Sequence, residues 1–195
     1  MAENTSEQDA INRHVDYPYD VRETEWSDFQ QRRCKMVAKL VRPGDKFLDI
    51  GCNSGYMVEL VDPSCEVHGV DVAPRLVERA AKILKSAQLA KAESLPFPDK
   101  SFDVSNLSEI LEHVFDDALV MREAARVSRR SIIGSTPHEA GTWGAHRVPT
   151  HPFHVRCYTE ATLRALLEQF GTITSFGTVD IGNEPQCYVF EVELR

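Results

Sequence analysis

The sequence predicts an α/β fold: a seven-stranded mixed sheet, mostly parallel with an antiparallel terminal strand, and helices on both faces. Two observations predict it. Short apolar, strand-like segments alternate with amphipathic, helix-like ones, the pattern of a parallel sheet covered on both sides. The last two strand-like segments are joined only by Gly182-Asn183-Glu184-Pro185, a connection short enough for antiparallel neighbours.

Taken in order, residues 1 to about 15 are polar and are expected to be mobile, within a flexible N-terminal segment of residues 1–22. From about Glu23 to Val41, Phe29, Met36-Val37 and Leu40-Val41 fall near helical spacing, with Arg33 interrupting the apolar face. Arg42-Pro43-Gly44-Asp45 stops that helix and turns the chain. Strands are expected at Lys46–Ile50, Glu66–Asp71, about Ala87–Lys91, Ser101–Leu107 and Ser131–Ser135. Helices are expected to start at Gly55 and to span Pro74–Lys85 and Asp116–Ser128. Thr159 reads as the N-cap of a further helix to Phe170, with Leu163, Leu166, Leu167 and Phe170 on one face and Gly171 ending it. Thr172–Val179 and Gln186–Glu193 complete the strands, so residues 23–195 read as a single domain.

One stretch breaks the alternation. Thr136–Tyr158 holds three prolines, four histidines, two glycines and Trp143 without periodicity. A loop of this length in a compact domain is usually functional, so residues 136–158 are read as a substrate-side loop or lid.

Composition narrows the class. The 195 residues are 42% hydrophobic and 27% charged, an ordinary globular balance. No apolar run reaches the roughly 20 residues of a membrane span. The polar, acidic start resembles neither a secretory signal nor a transit peptide, which makes the cytoplasm the expected address. Cys34, Cys52, Cys65, Cys157 and Cys187 are scattered and form no C-x-x-C pair, so free thiols are expected. A net charge of −8 disfavours broad affinity for nucleic-acid phosphates.

The chemistry begins at Phe47-Leu48-Asp49-Ile50-Gly51-Cys52-Asn53-Ser54-Gly55. A strand, a glycine-rich turn and a helix in succession bring backbone N–H groups around a ligand. The spacing does not match the G-x-G-x-x-G of dinucleotide binders. An acid two residues before the first glycine suits a cationic ligand and repels a pyrophosphate.

This loop resembles motif I of the class I S-adenosylmethionine-dependent methyltransferases, with Asp49, Gly51 and Gly55 in register and Asn53 replacing the middle glycine. Asn tolerates a left-handed backbone better than most residues, so the loop can keep its shape. The resemblance continues through Val67-His68-Gly69-Val70-Asp71, Ala92-Glu93-Ser94-Leu95-Pro96-Phe97, Glu109-Ile110-Leu111-Glu112-His113-Val114 and His154-Val155-Arg156-Cys157-Tyr158-Thr159, covering roughly residues 45–195. It is similar to the small-molecule, "type 11" branch. The resemblance implies a Rossmann-like sheet and S-adenosyl-L-methionine as cofactor. Its site would comprise Asp49, Gly51, Cys52, Asn53, Gly55, Asp71, Val72, Ala92, Glu93, Ser94, Leu107, Ser108 and His113. Asp71 would hold the ribose hydroxyls, with Ala92, Glu93 and Ser94 against the adenine. Plainer roles stand beside these: Asp71 as a turn cap, Glu93 as a solvated acid, Cys52 as a small neighbour, His113 as a structural histidine.

The implied reaction is methyl transfer from sulfonium to an oxygen or nitrogen of a small molecule such as a metabolite, sugar, quinone precursor or natural product. A hydroxyl acceptor benefits from a base near neutral pKa, and His146, His151 and His154 are the candidates. The spacing His146-x4-His151-x2-His154 also permits a metal, but no Cys or carboxylate stands at a convincing fourth place and none is assigned. Tyr17, Tyr19 and Trp26 are candidates to fold over the cofactor, and Trp143, Phe153 and Tyr158 to wall a substrate pocket. An RNA or protein methyltransferase, a non-catalytic cofactor-binding subunit and a nicotinamide-dependent dehydrogenase remain alternatives. The acceptor and the oligomeric state are not legible.

Overall fold

Strand β1 (Lys46–Ile50) is the axis of the sheet. Phe47, Leu48 and Ile50 are each at most 1% exposed. Successive strand side chains point to opposite faces, so consecutive burial requires cover on both. The computed structural model describes residues 6–16, 20–21, 27–138, 153–182 and 184–195.

β2 (Glu66–Asp71) and β4 (Phe102–Ser108) flank β1, both parallel to it. β3 (Ser86–Leu89) pairs beyond β2, and β5 (Ser128–Pro137) beyond β4, again parallel. β6 (Gly171–Ile181) and β5 are both antiparallel to β7 (Glu184–Leu194), giving the order β3-β2-β1-β4-β5-β7-β6. The expected seven-stranded sheet with an antiparallel terminal strand is therefore present. Strand order reverses between β1 and β4, and open α/β sheets bind ligands in the crevice at the carboxyl ends of such strands.

Helices cover the two faces. On one, α2 (Asp28–Ala38), a 3-10 turn (Tyr56–Glu59) and α3 (Pro74–Ala80) bury Val37, Met57, Ala80 and Leu84 against Phe47 and Val104. On the other, α4 (Asp117–Val127) and α5 (Glu160–Leu167) bury Met121, Leu163 and Leu167 against Leu48, Ile50 and Ile132. Thr159 is the expected N-cap of α5, accepting from Thr162 N, as Ser27 accepts from Gln30 N at α2. Among the described residues, no helix is long and apolar enough to cross a membrane.

Three segments differ from expectation. Glu7–Asp16, read as mobile, is a helix, α1. Its Ile11, His14 and Val15, at helical spacing, are half-buried, which gives it a docking stripe. The helix expected from Gly55 is one 3-10 turn, entered from Gly55 in the left-handed conformation. The helix expected to reach Lys85 stops at Ala80, because the Lys85 N–H is already bonded to Val67 O of β2 and leads into β3.

Gly69 sits opposite Asp49 in the β1–β2 register, and a Cβ there would lie 2.6 Å from Cys52 Sγ and 2.8 Å from Leu84 Cδ1. Gly69→Ala is therefore expected to cost about 1–3 kcal/mol by overpacking. Urea denaturation measures this, and an unchanged midpoint contradicts it.

Candidate functional site

The glycine loop follows β1 at the switch point. Gly51 (φ 75°) and Gly55 (φ 81°) are left-handed, and so is Asn53 (φ 51°), which takes the conformation expected of the missing glycine. A Cβ on Gly51 would meet Ile110 Cδ1 at 2.1 Å. The Asn53 side chain does more than fit. Its Oδ1 accepts from Ser54 N at 2.8 Å and from Val21 N at 3.1 Å, tying the N-terminal segment to the loop. Ser54 Oγ donates to the buried Asp20 at 2.6 Å, and Arg79 of α3 pairs with the same carboxylate.

Asp49 ends β1 at 2% exposure, and Asn106 of β4 donates to it at 2.7 Å. Burial pushes its carboxyl up to about 7; the Asn106 hydrogen bond pulls it down and the Asp71 charge raises it further. Asp71, ending β2, accepts from Asn53 N and Ala73 N, both at 2.9 Å. It thus caps the next turn, as its plainer reading held, and also borders the cavity. Burial raises its carboxyl as well, against the pull of those backbone N–H groups. Cys52 is fully buried, and burial pushes its thiol up, which keeps it protonated.

The loop opens onto a cavity of about 420 Å³. Gly51, Asn53, Asp71, Val72 and Ser108 line it together with Glu112, His113, Phe153 and His154. A second cavity of about 80 Å³ is lined by Val72, Ala92, Glu93 and Ile110, and shares His14 and His113 with the first. Asp49, Cys52, Gly55, Ser94 and Leu107 line neither. His146 and His151, together with Tyr17, Tyr19, Trp26 and Trp143, lie outside the described residues.

Residues distant in sequence are stitched together at the far wall. Val155 N donates to Glu112 O at 2.8 Å, and His113 Nδ1 lies 3.0 Å from Phe153 O. Arg156 donates to Val114 O and Phe115 O, while Tyr158 Oη donates to Asp117 at 2.6 Å. These bonds put the His154 ring edge-on to His113, with centroids 4.8 Å apart. His14 of α1 meets the opposite side of His113, also at 4.8 Å.

Sequence reading did not assign Arg33, Glu109 or Glu112 to the site. Arg33 reaches from α2 to Glu109 at 3.3 Å and to Ser135 Oγ at 3.0 Å. Its signal was available: a charge on the buried face of an amphipathic helix implies a buried partner. Glu109 follows β4 in a left-handed conformation (φ 56°), a sparse region for a non-glycine residue that often marks a functional site.

Comparisons with known proteins agree with this geometry. Residues 48–131 match the family described as "Methyltransferase domain". A probable S-adenosylmethionine-dependent methyltransferase of Mycobacterium tuberculosis is 32% identical over 133 residues, 65% of this chain and 48% of that protein. The 27-O-demethylrifamycin SV methyltransferase of Amycolatopsis mediterranei is 37% identical over 99 residues, 46% of this chain and 36% of that protein. The match therefore spans about half or less of these relatives' length. A solved structure from Thermotoga maritima, described as an S-adenosylmethionine-dependent methyltransferase, superposes with a TM-score of 0.67 at 18% identity, covering 84% of this chain and 89% of that one. Residues 48–131 are thus similar to the methyltransferase domain family, and the sheet has the fold of a solved S-adenosylmethionine-dependent methyltransferase.

The raised Asp49 carboxyl has a consequence for stability. The folded state favours its protonated form, so this contribution is fully present below the unfolded value of about 3.9 and is lost as pH rises through about 7. Asp49→Asn is expected to lessen the fall in stability between these values; denaturation midpoints across that range test it, and an unaltered slope rejects it.

Proposed function

We propose that this chain is an enzyme that transfers the methyl group of S-adenosyl-L-methionine to an oxygen or nitrogen of a small molecule. One observation carries the reading: one cavity is lined both by the glycine loop and Asp71 and by the His113–His154 pair. That is a cofactor side and an acceptor side in one enclosure. The Amycolatopsis relative, named for a demethylrifamycin, supports an acceptor of small-molecule size. The chain would work as one cytoplasmic domain; residues 139–152 of the expected substrate-side loop lie outside the described residues.

The residues present fit the cofactor. Asp71 offers a carboxylate at the cavity edge, able to accept from two ribose hydroxyls. Gly51 leaves room where a side chain would strike Ile110. Val72, Ala92, Glu93 and Ile110 bound the smaller cavity, which suits a flat apolar ring such as adenine. The two buried acids, Asp49 and Asp71, favour a ligand that brings positive charge, because a nearby cation lowers the cost of ionising them.

S-adenosylmethionine supplies a methyl group on a sulfonium that is already a good leaving group. The protein's share is alignment of the acceptor and removal of its proton. The loop and Asp71 orient one side, α1 covers the cavity through His14, and His154 faces the acceptor.

Methyl-labelled S-adenosylmethionine incubated with fractionated cell extract is expected to label low-molecular-weight components. Label confined to RNA or protein would overturn the small-molecule reading. Asp71→Asn should weaken S-adenosylmethionine binding by about 10-fold or more, since a hydrogen bond to a charged acceptor is worth about 1.5–3 kcal/mol. Cofactor affinity should rise with pH between about 6 and 8, because binding a cation favours ionised Asp49, and Asp49→Asn should remove that rise. Calorimetric titrations at several pH values decide both.

A further inference from the structure

On the acceptor wall, Glu112, His113 and His154 each turn one donor atom inward, and these atoms all lie within 4.8 Å of one another. We propose that they form a divalent transition-metal site with open positions for the oxygen atoms of the methyl acceptor. The set became visible only in three dimensions. Glu112 and His113 follow β4, and His154 comes from a segment about 40 residues later, brought alongside by the Val155–Glu112 and Arg156–Val114 hydrogen bonds.

Glu112 carries the case. It is 1% exposed, its Oε2 accepts from Thr136 Oγ1 at 3.1 Å, and its Oε1 has no hydrogen-bond partner among the described residues. A buried carboxylate oxygen without a partner is costly, and a cation there would relieve it. Arg33, the nearby guanidinium, is engaged by Glu109 and Ser135.

His113 is oriented as a ligand. Phe153 O can only accept, so Nδ1 carries the hydrogen of that 3.0 Å bond, and in the neutral ring the lone pair lies on Nε2, 3.9 Å from Glu112 Oε1. Metal-ligating imidazoles commonly donate their other N–H to such a carbonyl, which sets the tautomer and aims the ring. Two imidazoles and one carboxylate match catalytic sites that keep an open position for water or substrate. Donors about 2.1 Å from one ion stand about 3.0–3.4 Å apart in facial or tetrahedral geometry, so a pair 4.8 Å apart must close by about 1.4–1.8 Å, within reach of side-chain rotation.

The role of the ion rests on the methyl-transfer reading, whereas its seat does not. A hydroxyl held there is a stronger acid than in water. Its proton leaves to solvent and the oxygen bonds to the methyl carbon. The carbon–sulfur bond breaks with its electron pair on sulfur, giving the methyl ether and S-adenosylhomocysteine. The substrate class is therefore a hydroxyl compound, favoured when a second oxygen donor stands beside the accepting one.

Titrating the full chain with Co²⁺, and separately with S-adenosylhomocysteine, reads the two claims apart. One Co²⁺ per chain is expected, with visible d–d absorption and no near-ultraviolet thiolate charge-transfer band. Loss of even an outer-sphere partner typically costs 10–100-fold in metal affinity, so Glu112→Gln and His154→Ala should each weaken Co²⁺ by about 100-fold or more. Both variants should retain the wild-type far-ultraviolet circular dichroism and S-adenosylhomocysteine affinity. Failure of the wild type to bind Co²⁺ or Zn²⁺, binding unchanged in both variants, or a thiolate band overturns the site. The wild-type spectrum decides the ligand set even where a variant misfolds. Co²⁺ binding without S-adenosylhomocysteine binding would uphold the metal site and sink the methyl-transfer reading.

Discussion

A carboxylate held almost out of water at the carboxyl end of a central parallel strand is the constraint on which this site depends. Asp49 is buried because β1 is buried, and β1 is buried because helices cover both faces of the sheet. The Asn106 amide on β4 compensates one of its oxygens. Register makes that bond possible: Asp49 and Asn106 are direct partners in the β1–β4 ladder. The pair lies where strand order reverses, so a carboxyl raised by burial stands beneath the glycine loop, and a cationic ligand arriving there favours its ionised form.

The loop is built on that base by backbone conformation and by polar tethers. Three left-handed residues curl the chain around the cavity, and the non-glycine one, Asn53, uses its side chain as a fastening. Substitution of the usual glycine thus adds a function: it couples the loop to residues 20–21. Asp20 extends the coupling to Ser54 and to Arg79 of α3. Short polar contacts of this kind restrict the loop more than its apolar neighbours can, because each satisfies a group that burial would otherwise leave without a partner.

The acceptor wall depends on a different device. Backbone and side-chain bonds sew residues 153–158 to residues 111–117, and Tyr158 is buried with its hydroxyl on Asp117. The stretch following β4 therefore presents its acids and histidine against a second histidine that the sequence places far away. Arg33 and Glu109 add an ion pair at the edge of the same cavity, while the smaller cavity is largely apolar.

Periodicity and turn chemistry were enough to determine the order of the seven strands along the chain, the antiparallel closing pair and the Thr159 cap, since each depends on residues near in sequence. The glycine loop and Asp71 were legible for the same reason: a strand, a tight turn and a terminal acid form a local pattern. Arg33 was visible only as an interruption. Its partners Glu109 and Ser135 lie 76 and 102 residues away, and side-chain pairing over that span is decided by sheet order. Helix α1 was not legible, because a polar helix acquires its stability from the surface it docks on. Likewise the histidine spacing in residues 146–154 suggested one cluster, while tertiary structure joined His154 to Glu112 and His113. The sequence by itself determined the fold class and the glycine loop. Only the packed structure decided the meeting of Glu112, His113 and His154, since these groups converge through hydrogen bonds between segments that have no local relation to one another.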